Sequence, residues 1–94
     1  MRVIKLADDN ENKKSMKEAE DTLNQIIANP STPKTIKKSI TDLVAVLGGE
    51  EHSLSVRAAN GISMLDDITQ DPNMPSYVRV TLWQAVSKLE AIRE

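Results

Sequence analysis

At 94 residues the chain has room for one domain with a small core. Its 12 Lys and Arg against 14 Asp and Glu leave a net charge of −2, without the basic excess that phosphate-backbone binding usually demands. The absence of cysteine excludes disulfides, thiolate nucleophiles and thiolate zinc sites. There is no Phe, one Tyr and one Trp, so aliphatic side chains must fill the interior.

Residues 1–10 read as an N-terminal arm with apolar Val3, Ile4 and Leu6, and residues 11–94 as a single four-helix bundle domain. Arg2 and Lys5 are followed by no sustained apolar run, so the start does not read as a signal peptide. No stretch is apolar for bilayer length, and a cytoplasmic protein is expected.

The first predicted helix covers 11–28, where Met16, Ala19, Leu23, Ile26 and Ile27 recur on one face. Asn29-Pro30 ends it, because the residue before proline disfavours helical backbone. Thr32-Pro33 reads as an N-cap followed by proline at the first helical position, opening a helix over 33–47. Its stripe is Ile36, Ile40, Leu43, Val44 and Leu47, and Gly48-Gly49 is expected to close it with a left-handed cap. A polar linker, Glu50-Glu51-His52-Ser53, leads to a third helix over 54–70 with Ser53 as N-cap. That helix is apolar around most of its circumference, which predicts burial on more than one side. The fourth helix spans 75–92 with Val78, Leu82, Ala85, Val86, Leu89 and Ile92 inward, and with Val80 and Trp83 off the stripe.

The two halves repeat. Pro30 and Pro33 match Pro72 and Pro75 at an offset of 42 residues, and all four are structural turn residues. Leu23, Ile26, Ile36, Ile40, Val44 and Leu47 match Leu65, Ile68, Val78, Leu82, Val86 and Leu89 at the same offset. Each copy is a helical hairpin that cannot cover its own apolar stripe, and two copies are too few for a solenoid. The predicted fold is therefore all-α: an antiparallel four-helix bundle made of two related hairpins packed face to face.

The segment SVRAANGISMLDDITQDPNMPSYVRVTLWQAVSKLE resembles the C-terminal half of uncharacterised protein family 0147, a set of short archaeal proteins, and NPSTPKTIKKSI resembles its N-terminal turn. The resemblance implies an archaeal, cytosolic protein with a bromodomain-like, up-and-down four-helix fold. It implies no activity and carries over no catalytic residue. A weaker likeness to HEAT-type helical repeats rests on D-P-x-x-P-x-x-V-R ending at Arg79 and on Val56-Arg57. HEAT arrays are protein-binding scaffolds, and here the likeness is one of construction alone.

Few residues point to chemistry. His52, the single histidine, lies in the linker beside Glu50 and Glu51 and reads as a surface residue. Asp66, Asp67, Asp71 and Asn73 are rich in oxygen, yet lack the spacing of a calcium loop. Asp71 reads as a turn residue and Asp66 and Asp67 as solvated face, so no metal and no cofactor is expected. Arg57 and Asn60 fall on the most apolar helix, where an ion pair or a carbonyl contact would explain the arginine. Lys34, Lys37 and Lys38, with Lys13, Lys14 and Lys17, form basic patches without the aromatics that stack bases. Met74, Val80 and Trp83 mark a protein interface, because Trp is enriched where partners bind. With no Gly-rich phosphate loop and no nucleophile–base motif, no enzyme is expected. The leading expectation is a small protein-interaction or structural module that self-associates or holds a protein partner. The alternative is an accessory nucleic-acid or ribonucleoprotein binder using Lys34, Lys37 and Lys38.

Overall fold

The computed structural model describes residues 9–92; residues 1–8 of the expected arm lie outside that range. Four helices make up the fold: α1 Asp9–Ala28, α2 Lys34–Leu47, α3 Leu54–Ile68 and α4 Ser76–Glu90. No strand occurs among the described residues. The first helix begins two residues before the expected boundary and takes in Asp9 and Asn10.

The two hairpin turns share their backbone hydrogen bonds. Ser31 N–H donates to Asn29 Oδ1 at 2.9 Å, and Asn73 N–H donates to Asp71 Oδ1 at 2.9 Å. Thr32 N–H donates to Asn29 O at 3.1 Å, and Met74 N–H to Asp71 O at 3.2 Å. Pro33 and Pro75 have nearly the same backbone, φ −56°, ψ 144° and φ −59°, ψ 145°. Asn and Asp side chains mimic a turn by bonding the backbone two residues on, so either residue satisfies this frame.

Two local expectations are corrected. Pro33 is itself the N-cap, in extended backbone, and its carbonyl accepts the first helical bond from Lys37 N–H at 3.0 Å. Thr32 makes no cap; it is buried, and its hydroxyl donates to Ile26 O at 2.9 Å, tying the turn back to α1. Proline has no donor to lose at a helix start, so the position is tolerated. Gly48 has φ −84°, and none of the described glycines is left-handed. The end of α2 simply tightens: Gly48 N–H bonds Val44 O at 2.9 Å and Gly49 N–H bonds Val46 O at 3.3 Å.

The helices form a four-sided bundle in which α1 packs on α4 and α2, and α3 packs on α2 and α4. Across the diagonals, α1 touches α3 and α2 does not reach α4. Small residues on α3 contribute to this asymmetry. Its buried positions are Ala58, Gly61 and Leu65, whereas α2 contributes Ile36, Ile40, Leu43 and Leu47 and α4 contributes Val78, Leu82, Ala85 and Leu89. Small residues let backbones approach, and at Gly61 leucines of α2 and α4 fill the space left. A Cβ at Gly61 would stand 2.7 Å from Leu47 Cδ2, 3.3 Å from Leu89 Cδ1 and 3.4 Å from Leu43 Cδ1. Leu47 and Leu89, equivalent in the two hairpins, thus converge on one missing side chain.

The third helix is less enclosed than its composition predicts. Ala58, Gly61 and Leu65 are buried, Leu54, Ile62, Met64 and Ile68 are half-buried, and Val56 and Ala59 are exposed. Burial is confined to one flank because a four-helix bundle gives each helix neighbours on its inner side only.

Candidate interaction surface

The outward side of α4 carries most of the large exposed hydrophobic side chains of the described residues. Its exposed residues from the first turn onward are Ser76, Tyr77, Val80, Trp83, Gln84 and Ser87, and none is charged. The next exposed residue, Lys88, is ion-paired to Glu18 of α1 at 3.0 Å. Charge marks the outer faces of α1, with Lys13, Lys14, Lys17 and Asp21, and of α2, with Lys34, Lys38 and Asp42. On α3 it is confined to Asp66 and Asp67, and Val56, Ala59, Asn60 and Ser63 are exposed and uncharged.

Three large side chains stand on the α4 face: Trp83 is 60% exposed, Val80 53% and Tyr77 42%. They are spaced by three residues, so they form one oblique ridge along the helix. The inward stripe of Val78, Leu82, Ala85 and Leu89 fixes the rotation of α4 and turns this ridge to solvent. Tyr77 was not expected here. The signal for it was the Tyr77–Val80–Trp83 spacing, which only becomes meaningful once the inward stripe is settled.

Met74 does not belong to this surface. It is 6% exposed and sits in the core, because the turn from Asp71 folds it inward at the place that Thr32 takes in the first hairpin. A residue so buried offers no area to a partner.

The remaining candidates are dispersed. His52, Glu50 and Glu51 are exposed in the linker between α2 and α3. Lys34 and Lys38 are exposed and Lys37 half-buried on the first turns of α2, and the same helix carries Asp42 one turn beyond Lys38. Asp66 and Asp67 are exposed, and Asp71 is engaged in its turn. No cluster of three or more His, Cys, Asp or Glu able to hold a metal occurs among the described residues. None of the described helices is long and apolar enough to cross a membrane.

Arg57 is accounted for by a backbone carbonyl. Its Nη1 donates to Leu47 O at 2.9 Å, placing a cation on the last turn of α2, where the helix dipole is negative. Arg79 likewise donates to a backbone carbonyl, Asp71 O in the turn beyond α3, at 3.2 Å. In both, the Nε is buried without a hydrogen-bond partner, so packing rather than full pairing holds these side chains. Arg57 also lies close enough to Glu20 to favour its charged form, although burial of Glu20 is the larger effect and raises its pKa. Glu18 behaves oppositely: its hydrogen bond from Lys88, with the attraction of that charge, lowers its pKa.

These features define a small all-helical bundle of two related hairpins with an uncharged, partly aromatic face on its last helix. The chain belongs to the uncharacterised protein family UPF0147, whose family model matches residues 3–92. A UPF0147 protein of Sulfurisphaera tokodaii is 38% identical over 84 residues, covering 89% of this chain and 94% of that protein. One of Methanosarcina mazei is 34% identical over 83 residues, covering 88% and 89%. Two crystal structures share the fold. MMP1188, a protein of unknown function, superposes with a TM-score of 0.83 at 34% identity over 98% of this chain and all of that one. A UPF0147 protein from Thermoplasma acidophilum gives 0.81 at 33% identity over 89% and 99%. The bundle is thus the fold of an archaeal family, as the resemblance of the DPNMP segment implied.

Proposed function

We propose that this protein is a non-catalytic, cytoplasmic protein-interaction module whose contact surface is the outward face of α4. The observation that carries the reading is the exposure of Trp83, Val80 and Tyr77 together on a face without charge. Trp and Tyr supply large contact area at small entropic cost, and charged residues are depleted at the centres of interfaces. A scattered exposed hydrophobe needs no explanation, but three on one ridge form a patch.

The test is affinity capture from the native host at low and high salt, with and without nuclease, using wild type, Trp83→Ala and Lys37→Ala. A partner that resists salt and nuclease, and is lost with Trp83→Ala but kept with Lys37→Ala, supports the reading. Nuclease-sensitive recovery that falls with Lys37→Ala and with added salt would replace it with nucleic-acid binding.

A further inference from the structure

We infer that the occupant of the α4 face is a second copy of this chain, in a two-fold contact centred on Val80. The inference rests on the interaction reading above and names its partner. An isologous contact sets a surface against itself, so any charge at its centre meets its own like. On α1, α2 and the last turn of α3 a copy would bring lysines toward lysines or aspartates toward aspartates. The exposed residues of α4 from Ser76 to Ser87 carry no charge to repel a copy. Val56, Ala59, Asn60 and Ser63 of α3 are exposed and uncharged too, but only α4 adds aromatic area.

The ridge also has the spacing that a two-fold axis needs. Tyr77 and Trp83 each lie three residues from Val80. An axis passing between Val80 and its counterpart carries each Trp83 toward the Tyr77 of the copy, giving two aromatic pairs around an aliphatic centre. Offset or edge-on aromatic pairs contribute about 0.5–1.5 kcal/mol each beyond burial. Gln84 and the hydroxyls of Ser76 and Ser87 form a polar rim.

Size sets the strength of the contact. The 15 residues of α4 extend ~22 Å. A strip of that length and about 10 Å width is well short of the roughly 800 Å² that each partner contributes to a standard interface. The pair is therefore a weak dimer whose population depends on concentration.

Two properties of the chain make the test direct. It has one Trp, so its fluorescence reports on this face alone, and it has no cysteine, so a single introduced thiol is unambiguous. Sedimentation of wild type and Trp83→Ala from about 5 µM to about 1 mM should show wild-type mass rising from 10.4 kDa toward twice that value, with Trp83→Ala staying monomeric. Trp83 emission should shift to the blue over the same range. Under mild oxidation Val80→Cys should form a disulfide-linked dimer at least tenfold faster than Lys38→Cys, whose side chain is exposed on α2, across the bundle from α4. Disulfide geometry needs Cβ atoms within about 4 Å, which only the two-fold at Val80 provides.

A wild type that remains at 10.4 kDa with unshifted emission overturns the inference. So does a dimer in which Val80→Cys and Lys38→Cys link at equal rates, since it would use another face. Capture of a host protein that depends on Trp83, by a chain that stays monomeric, would leave the interaction reading standing and remove only the second copy.

Discussion

Gly61 offers the sharpest check on the packing. In an exposed helix, replacing glycine by alanine stabilises by about 1 kcal/mol. At Gly61 the added Cβ would meet Leu47 Cδ2 at 2.7 Å, whereas carbon atoms rest at roughly 3.5–4.0 Å. Leu47, Leu43 and Leu89, the three side chains around that position, are all fully buried, so none can swing into solvent. Overpacking of this kind costs about 1–3 kcal/mol. The two effects oppose, and Gly61→Ala should be net destabilising by up to about 2 kcal/mol. For a domain of this size each kcal/mol moves the melting temperature by roughly 4–8 °C. Thermal and urea unfolding followed by far-ultraviolet circular dichroism would read the change. Gly61→Val, with two further methyl groups and a β-branch, should be worse by at least another ~1 kcal/mol. Trimming the obstructing side chain should relieve the strain, so the double variant Gly61→Ala with Leu47→Ala should cost ~1 kcal/mol less than the separate effects added together. A Gly61→Ala protein that melts higher than wild type would refute the close approach of α2 and α4 to α3.

Leu65→Ala, which empties a fully buried site, should lower stability by about 2–5 kcal/mol in urea unfolding, while Ile62→Ala should cost less because Ile62 is only half-buried. Thr32→Val keeps the shape but removes the 2.9 Å bond to Ile26 O, and should cost ~1 kcal/mol by the same assay. Burial raises the pKa of Glu20, so the folded state resists its ionisation and loses stability as pH rises from the ordinary glutamate value through the raised one. Glu20→Gln should therefore unfold later than wild type at pH 7, with the advantage gone once the pH falls below the ordinary glutamate value.

Much of the fold is legible from residues close together in the chain. Proline restricts the residue before it and cannot continue a helix, so Pro30, Pro33, Pro72 and Pro75 divide each half into two helices wherever those helices end up. The four helices lie within two residues of the predicted bounds, and the inward stripes of α1, α2 and α4 follow from period alone. The 42-residue repeat predicted paired hairpins, and both turns carry the same side-chain-to-backbone bond. Other features belong to the tertiary structure. Thr32 gives up the cap it could have made because Ile26 O is within reach of its hydroxyl only after the turn closes on α1. Met74 is an apolar residue in a turn, and only the fold of that turn decides that it points inward. The apolar excess of α3 does not bury it all round, because burial depends on how many neighbours surround a helix, and α3 has them on one side. Gly61 resembles any helical glycine in sequence, and its meaning comes from two leucines 42 residues apart. The α4 face was half visible: Val80 and Trp83 fall off the core stripe. That they stand in solvent with Tyr77, on a face free of charge, depends on which helices cover α4 and which side they leave open.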